Sequence, residues 1–537
     1  MRIAHYRHGL LALIIATWSA WPAAAQTLGT ATPGDQVRRL TIDEAVRLAL
    51  DNNLGIQIAR FNPQIQDLAV AVARAAWVPT FTTTLQGSST DLPNTSFLSG
   101  SQGDKTTNGR LMSNVGVAQP TPWGGSYTVG WDSTRATTTN LFSNFSPQLS
   151  SSLAFSVRQP LLRNFGIDGL RQQLLTSEKT REIADVEVQQ TVVTTSRAVR
   201  DAYWDLAYAN ASLAVQQQSL DLARESLRET NARIQIGTIP PIDAVEAQAE
   251  VALREEAVIV AQAQIDTAQD TLRALVFNQS APDFWDARIE PTDLPAFQPV
   301  TVDLDAAVRN ALQMRTDLRQ TRRSLEANDI SVRYFQNQLL PDVTASFDYG
   351  FTGLGGTKFL RGAGFPGPII GENQRSFGSV LGDLFANRFP NWTLALNVSY
   401  PLGRSQQDAN LARARLQASQ GQTQLKNAEL QVVTQVRNVA RQVQTNQKRV
   451  DSTRASRLLA EQRLDAEQKK LAAGTSTNFI VFQAQRDLAQ ARNNELSAVL
   501  DYSRSLVDLE TIQQAPLTGA AGTVTAAAAT TTAAATR

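Results

Sequence analysis

The residue types that most often perform chemistry in proteins are nearly absent from this sequence. Both histidines, His5 and His8, lie near the start of the chain, and there is no cysteine. Histidine is the commonest acid–base group in enzymes, and the cysteine thiolate is the most reactive nucleophile. Serine, carboxylate and lysine side chains remain, but they form no recognisable catalytic constellation. The sequence therefore predicts a protein that is not an enzyme and that carries no cofactor.

Ligands for a metal ion are equally sparse. Apart from the initiator, the methionines are Met112 and Met314, which are far apart in sequence. A dedicated site for a soft metal needs several sulfur or nitrogen ligands close together. We therefore expect no metal site. The formal charge of +1 also gives no sign of nucleic-acid binding, which needs a strongly basic surface.

Two similar turns carry the polar residues that are the best candidates for a functional site. The first contains Gly237-Thr238, followed by two prolines, and the second contains Gly474-Thr475. Glycine suits the left-handed residue that ends a helix, and proline cannot continue one. Each turn is therefore predicted to join two helices. A shift of 237 residues places Gly237 on Gly474.

The residues that follow the two turns differ in charge. Asp243 and Glu246 follow the first turn, and the same shift places Ile480 and Gln483 at the matching positions after the second. Residues three apart lie on one face of a helix, so the two carboxylates share a face. They could cap the helix start and offset its dipole, or they could form a polar selectivity ring.

The turns belong to two very long predicted helices. No proline occurs between Pro160 and Pro240, and apolar residues recur every seven positions over 169–236. A heptad pattern of this length is typical of a coiled coil, and small residues beside it let a neighbouring helix lie close. The first seam comprises Val192, Val199, Leu206, Leu213, Leu220, Leu227 and Ile234, with Ala202, Ala209 and Ala223 beside it. The second, over 404–472, comprises Val436, Val443, Val450, Leu464 and Leu471, with Arg457 as the exception.

A targeting segment is predicted at residues 1–25. Arg2 and Arg7 give it a basic start, an apolar stretch follows, and alanines at 23–25 suit a cleavage site. Its removal changes the formal charge from +1 to −1, because it takes away two arginines and no acid. No other apolar stretch approaches the ~20 residues of a membrane helix. We therefore expect an exported protein.

The second half of the sequence repeats the first. Residues 40–50 match 302–312 at an offset of 262, and the first copy contains a capping box, Thr41 with Glu44. The first repeat is predicted at 26–277 (helices 41–78, strands 80–160, helical hairpin 169–277) and the second at 302–510 (helices 303–340, strands 342–400, helical hairpin 404–510). An irregular linker is predicted at 278–301, and a disordered Ala/Thr-rich tail at 511–537.

The predicted strands alternate apolar and polar residues over a length that can cross a bilayer when tilted. Four clear strands per chain cannot close a barrel, which needs about eight, so several chains must contribute. The clearest alternation comprises Trp392, Leu394, Leu396, Val398 and Tyr400. The alternative is a soluble antiparallel sheet attached to a coiled-coil stalk, but such a sheet would have little to pack against.

One hairpin, at residues 114–131, exceeds four strands per chain. Gln119-Pro120 resembles Gln159-Pro160, as though both ended at the same membrane face. If the hairpin joins the barrel, a trimer has 18 strands rather than 12. We expect 12 strands and an accessory hairpin folded outside or over the barrel, because the second half has no equivalent pair.

This layout resembles the TolC family of outer membrane efflux proteins over about residues 40–511. The features that carry the resemblance are duplicated: the helix starts Asp43-Glu44-Ala45 and Asp305-Ala306-Ala307, the strand ends Gln159-Pro160-Leu161 and Tyr400-Pro401-Leu402, and the turns at 237–243 and 473–477. The resemblance implies an α+β membrane protein. Three identical chains, with four strands each, would form one outer-membrane β-barrel, continued by a long periplasmic α-helical coiled-coil barrel.

The family also implies a function and partners. The homotrimer would be a passive channel for efflux or type I secretion, linked by a periplasmic adaptor protein to an inner-membrane transporter. Adaptor hairpins would dock at the turns Gly237, Thr238, Gly474 and Thr475. The family narrows its periplasmic entrance with acidic residues just after the second turn. Here Ile480 and Gln483 occupy those positions, so this acidic ring is not carried over.

Two other functions compete with a channel. One is a coiled-coil scaffold or receptor of the envelope that transports nothing, and the other is an envelope hydrolase. The amphipathic strands argue against the scaffold. The missing histidine and cysteine argue against the hydrolase. The sequence identifies neither the exported molecule nor the energy source of the pump.

Overall fold

The computed structural model of the chain describes residues 37–95, 100, 103–278, 284–285, 287–293 and 297–514. The targeting segment predicted at 1–25 lies outside these residues. The tail predicted at 511–537 also lies outside them from residue 515 onward, whereas residues 511–513 belong to a helix rather than to a disordered tail.

The elements of the two halves follow one another in a similar order. The first half contains β1 (Val37–Leu40), α1 (Ile42–Asn52), α2 (Leu54–Ala75), β2 (Thr80–Pro93), β3 (Lys105–Pro120), β4 (Ser126–Thr138), β5 (Phe145–Pro160), α3 (Gly169–Gln235) and α4 (Ile242–Val276). After β6 (Arg288–Pro291), the second half contains α5 (Leu304–Met314), α6 (Thr316–Gln338), β7 (Asp342–Arg361), β8 (Ile369–Arg375), α7 (Phe377–Phe385), β9 (Pro390–Ser399), α8 (Gln406–Ala472) and α9 (Asn478–Gln513).

The capping box predicted at the first helix is confirmed. Thr41 Oγ1 accepts a hydrogen bond from the backbone N–H of Glu44 at 3.3 Å, and the Thr41 N–H donates to the Glu44 carboxylate at 3.1 Å. At the matching position of the second half, the Asp303 carboxylate accepts hydrogen bonds from the backbone N–H groups of Asp305 and Ala306. A side-chain cap therefore starts the first helix of each half.

Short helices stack end to end beside the long ones, as their summed lengths predict. The Asn53 side chain donates to the carbonyl of Leu275 at 3.1 Å, so α2 begins where α4 ends. In the second half the Gln514 amide donates to Thr316 Oγ1 at 3.1 Å, so α6 begins where α9 ends. Because α2 and α4 both pack along α3, and α6 and α9 along α8, each chain forms four helical columns.

The heptad seams form the core of the helical part, as predicted. Val199 and Leu206 of α3 are fully buried, and Val436 and Val443 of α8 are fully buried as well. The exception in the second seam, Arg457, forms ion pairs with Glu461 of its own helix and Glu495 of α9. Burial of apolar area along these seams stabilises the columns against one another.

The linker predicted at 278–301 is not wholly irregular, which corrects the prediction. Within its described residues, β6 pairs in parallel with β1 over Val37↔Arg288 to Leu40↔Pro291. The partner strand is distant in sequence, so no local pattern announced this two-stranded sheet.

Two buried tyrosines fix this region to the helices. The Tyr203 hydroxyl of α3 donates to the carbonyl of Leu40 at 3.0 Å and accepts from the N–H of Asp293 at 3.0 Å. The Tyr502 hydroxyl of α9 donates to the carbonyl of Gln298 at 2.7 Å. Burial raises the pKa of Tyr203 to about 12. Both hydroxyls therefore satisfy backbone groups that the helices would otherwise leave buried and unpaired.

The main sheet contains six long strands in the order β2-β3-β4-β5-β7-β9, and the shorter β8 also pairs with β7. Every pairing is antiparallel. The accessory hairpin expected at 114–131 is therefore wrong. β3 pairs with β2 from Thr80↔Ala118 to Pro93↔Lys105, and β4 pairs with β5 from Ser126↔Arg158 onward. The hairpin joins the sheet because its backbone satisfies the edges of β2 and β5, which would otherwise stay unpaired.

The segment 353–389, predicted as a Gly/Phe-rich loop, is also structured. β7 continues to Arg361, β8 returns beside it, and α7 precedes β9. The Ser376 side chain accepts a hydrogen bond from the backbone N–H of Ser379 and so caps α7. A run as short and apolar as Phe377–Phe385 gives too little periodicity to separate a helix from a loop.

Candidate functional site

The six long strands present one apolar face. Residues directly opposite each other in neighbouring strands share a face, and one row crosses the whole sheet: Phe81, Val117, Val129, Phe155, Tyr349 and Trp392. The edge residues of this row are also its most exposed, at 65% for Phe81 and 68% for Trp392. Leu394, Leu396 and Val398 of β9 follow on the same face and are similarly exposed. Water is a poor environment for such a surface, so the face requires an apolar one.

The opposite face of the same strands is polar. Its neighbouring row is Thr80, Ala118, Thr128, Ser156, Asp348 and Thr393. The next row towards the hairpin tips contains Asn114 and Asp132, whose side chains share a hydrogen bond at 2.6 Å. An apolar face backed by a polar one is the pattern of a sheet that separates lipid from a water-filled interior.

Two edges of this sheet are unpaired within the chain. β2 forms one edge and β9 the other, and strict antiparallel alternation across six strands makes these edges run in opposite directions. All residues of β2 are exposed, and so are all but one of β9. Unpaired N–H and C=O groups at both edges are therefore available to strands of further copies.

The two helical turns have nearly identical geometry. Gly237 and Gly474 have positive φ angles of 77° and 75°. In the first turn the N–H of Gly237 donates to Ile234 O at 2.9 Å, and the N–H of Thr238 donates to Arg233 O at 3.0 Å. The second turn repeats both bonds, to Leu471 O and Lys470 O. These paired bonds are the Schellman motif, which requires a left-handed residue and therefore favours glycine.

The threonines in the turns have a structural role that the sequence did not reveal. The Thr238 hydroxyl donates to Arg233 O at 2.8 Å, and the Thr475 hydroxyl donates to Lys470 O at 3.1 Å. Each threonine therefore satisfies the same terminal carbonyl twice, through its backbone and its side chain. Both threonines are nevertheless exposed, so their outer surfaces remain free for a partner.

The four predicted entrance residues occupy the first turns of α4 and α9, near the tips. Asp243 accepts a long hydrogen bond, 3.5 Å, from the side chain of Asn478, which joins the starts of the two return helices. Glu246 and Ile480 are exposed, and Gln483 donates to Asp487 one turn further along α9 at 3.0 Å. The structure thus brings Asp243 close to α9 but does not gather all four side chains into one cluster.

Asp243 does not cap α4, which corrects the prediction made from its position after the prolines. The N-cap residue is Pro241, and no side chain caps this helix start. Proline is pre-set for helical φ, so the prolines begin the helix earlier than a capping aspartate would. Asp243 therefore lies within the first turn, where its charge still favours the positive end of the helix dipole.

A buried ionic cluster between the two hairpins escaped the sequence analysis. The Glu250 side chain of α4 is 2% exposed and accepts hydrogen bonds from Arg254 at 2.8 Å and from Arg486 of α9 at 3.0 Å. The cluster holds α4 against α9 above the tips. The available signal was position: Glu250 and Arg486 lie almost equally far from Gly237 and Gly474, so the repeat places them at the same level.

Removing the charge of Glu250 should loosen this contact. Glu250→Gln leaves the partly buried guanidinium groups of Arg254 and Arg486 without a carboxylate. Loss of one partner from a fully buried ion pair costs about 3–5 kcal/mol, and we expect roughly 2–3 kcal/mol here because Arg486 keeps contact with water. Thermal unfolding followed by circular dichroism measures the change. Glu246→Gln, on the exposed face one turn earlier, is the matched control, and an equal shift in both variants would contradict the expectation.

The second tip carries an additional electrostatic contact. Hydrogen bonds from Lys470 and then from Ser476 lower the pKa of the Glu467 carboxyl. Glu467 therefore links the end of α8 to the turn that follows it. The matching position of the first hairpin is Thr230, which is buried, so the two tips differ in charge as well as in the residues after their glycines.

Among the described residues, none of the helices combines the length and apolar character that crossing a membrane requires. The same part of the chain contains no group of three or more His, Cys, Asp and Glu side chains arranged to hold a metal ion.

Comparison with known proteins gives one family and one fold. The sequence model described as "Outer membrane efflux protein" matches residues 45–276 and 307–513. Among curated proteins, none matches the chain.

Similar solved structures are outer membrane channels. The CmeC outer membrane channel of Campylobacter jejuni is 13% identical, with a TM-score of 0.61 over 88% of this chain and 85% of its own. The outer membrane protein VceC of Vibrio cholerae is 16% identical, with a TM-score of 0.58 over 88% and 96%. The MtrE channel of Neisseria gonorrhoeae, described in its open state, is 15% identical, with a TM-score of 0.58 over 88% and 89%. At these identities the likeness establishes the fold.

Proposed function

Because this chain belongs to the outer membrane efflux protein family, we propose that it forms the outer-membrane duct of a tripartite efflux or type I secretion system. The duct conducts exported molecules passively from the periplasm, or from an inner-membrane pump, to the exterior. The observation that carries the proposal is a sheet with one apolar and one polar face, joined directly to two long helical hairpins. A scaffold that only bridges the envelope has no need of an apolar face on six neighbouring strands.

The proposed duct is a homotrimer whose sheets close into one barrel. In lipid every sheet edge must be paired, and β2 and β9 are the free edges of each chain. Since these edges run in opposite directions, β9 of one copy meets β2 of the next in antiparallel pairing. Six strands from each of three copies give 18 strands, an even number as single-chain barrels also have.

We assign the helical hairpins to the periplasm and their tips to partner docking. The support is the exposure of Gly237, Thr238, Gly474 and Thr475, and the open space around both glycine α-carbons. A partner backbone can approach glycine closely because glycine has no side chain. The proposed partners are a periplasmic adaptor protein at these turns and, through it, an inner-membrane transporter.

Assembly and conduction test the proposed function directly. We expect the protein purified from outer membranes in detergent to have the native mass of a trimer and to form discrete conducting channels in planar bilayers. The apolar sheet face and its open edges are the reason for both results. A monodisperse monomer that stays soluble without detergent would overturn the proposal, and so would a trimer that never conducts.

Charge at the entrance should alter ion selectivity. If Ile480 and Gln483 line the closed end of the duct, replacing both with glutamate should increase the cation preference of the resting pore. Added carboxylates attract cations into a narrow passage. The reversal potential under a salt gradient measures the preference. For Ile480→Glu alone, Phe479→Glu is the matched control, because it adds the same charge on another face of α9. Unchanged selectivity in the double variant would remove both positions from the pore lining.

A further inference from the structure

β8 and β9 form one descending strand that is interrupted by residues 376–389. β8 pairs with β7 down to Gly356↔Arg375, and β9 resumes the pairing at Phe351↔Pro390. Between these two pairs the chain leaves the sheet, forms α7 and returns. An excursion of this length, placed between two halves of one strand, moves a helix out of the plane of the sheet without disturbing its register.

α7 lies on the apolar face of the sheet. A β-carbon added at Gly353 would lie 2.3 Å from the carbonyl of Val380, and one at Gly355 would lie 2.5 Å from the Val380 side chain. Both glycines share the face of Phe351 and Tyr349, because they lie two and four residues beyond Phe351 on β7. These two glycines therefore make room for the helix on that face.

The sheet beneath α7 is covered accordingly. Ser151, which pairs with Gly353, is 1% exposed and accepts a hydrogen bond from the Trp131 indole at 2.8 Å. The Asn387 amide, just after α7, donates to the Tyr349 hydroxyl at 3.0 Å. Both contacts lie on the apolar face, so the helix is fixed to it at two places.

The outer side of this helix and its flank is aromatic. Val380 and Leu384 face the sheet and are buried, whereas Phe385 is 78% exposed and Phe389 is 49% exposed. Phe377, at the start of the helix, is also partly exposed. Large aromatic side chains on one side of a short amphipathic helix are suited to an apolar environment.

A charged cluster limits how deep α7 can lie in that environment. The buried Asp383 carboxylate pairs with Arg375 at 2.6 Å and with Arg388 at 3.1 Å. The Arg388 side chain remains 61% exposed. Charged side chains are costly at the centre of a bilayer and extend towards its polar surface. The helix must therefore lie near a headgroup region.

The length of β9 gives the same level. Its ten residues separate α7 from the end of the sheet that joins the helical hairpins. At about 3.3 Å per residue and a tilt of about 40°, ten residues rise by about 25 Å, which is the height of the apolar band of a membrane barrel. α7 therefore begins where that band ends, at the side away from the hairpins.

We propose that α7 is an interfacial helix whose exposed phenylalanines contact the acyl chains of the outer leaflet just below the headgroups. The inference rests on the proposed function, because it requires the apolar face of the sheet to meet lipid. Lipid is the favoured occupant because the exposed side of α7 continues the apolar face beneath it. A second copy is disfavoured, since α7 lies over β5 and β7 whereas a neighbouring copy joins at the edge of β9.

The chain lacks cysteine, so a spin label can be attached at one introduced position without background. The variants are Phe385→Cys, Gly382→Cys on the open side of α7, Leu396→Cys on the apolar sheet face and Glu372→Cys on exposed β8. An added β-carbon at Gly382 meets nothing within 4 Å, so this second probe of α7 is tolerated. Full-length trimers are reconstituted into phosphatidylcholine–phosphatidylglycerol vesicles, and collisions of each label with oxygen and with a water-soluble nickel chelate are measured.

The result expected is that labels at 385 and 382 lose nickel accessibility and gain oxygen accessibility relative to the label at 372, as the label at 396 does. Nickel accessibility at 385 equal to that at 372, with the label at 396 in lipid, would overturn the inference and leave the proposed function intact. Low accessibility to both reagents at 385 and 382 would also overturn it, because that result indicates a protein neighbour. A label at 396 that reports water would contradict the proposed function itself.

Discussion

Replacing Leu396 with arginine should prevent most of the protein from reaching the outer membrane as a folded trimer. Leu396 lies on the apolar face of β9 and is 62% exposed within the chain. Near the midplane of a bilayer, arginine on a lipid-facing strand costs about 2–4 kcal/mol. In a trimer the substitution is present three times, so the effect on assembly is amplified. Folded trimer can be quantified from its slower unheated mobility on gels of isolated outer membranes.

The adjacent residue provides the control. Asn397 pairs with Thr344 on the polar face, whereas Leu396 pairs with Ala345 on the apolar one. Asn397→Arg therefore introduces the same charge one residue away but towards the interior, and it should insert normally while altering ion selectivity. Equal loss of trimer in both variants would mean that β9 has no lipid-facing side.

Bulky residues in the turns should abolish export without dissociating the trimer. Thr238→Trp and Thr475→Trp place a large side chain where the structure has exposed threonines beside open glycines. A partner that approaches the glycine backbones would be displaced, so we expect complete loss of export and of adaptor crosslinking. A cysteine introduced near the turn gives a specific crosslinking site, because the chain has none of its own.

The control must account for the lost hydroxyl. Each threonine side chain donates to a terminal helix carbonyl, and losing one such bond costs about 0.5–1.5 kcal/mol. Thr238→Val and Thr475→Val remove this bond but keep the size of the side chain. They should reduce stability slightly and still support export. Wild-type crosslinking in the tryptophan variants would show that the adaptor binds elsewhere.

The features that could be predicted were those written in local or periodic patterns. The heptad seams gave the long helices and their buried faces, as at Val199 and Val436, and positive-φ glycines ended them. The alternation in β9 gave its apolar face. These patterns are reliable because period and burial have one physical cause, the hydrophobic face of each element.

The features that could not be predicted depend on partners distant in sequence. Val115 and Val117 gave a strand, but only pairing with β2 and β4 decides that it lies within the sheet. The ionic cluster at Glu250 needs Arg486, more than two hundred residues away. The position of α7 depends on two glycines of β7. In each case the local sequence is compatible with several arrangements, and tertiary contacts select one of them.

The six-stranded contribution of each chain has a consequence for the girth of the assembled wall. Eighteen strands about 4.8 Å apart and tilted by about 40° give a circumference of about 110 Å. Four helical columns from each of three chains, about 9–10 Å apart, give about 110–120 Å. Twelve strands would give only about 75 Å by the same reckoning. The two extra strands therefore match the membrane ring to the helical ring, so that the wall continues without a step and any narrowing of the passage belongs to the hairpin tips.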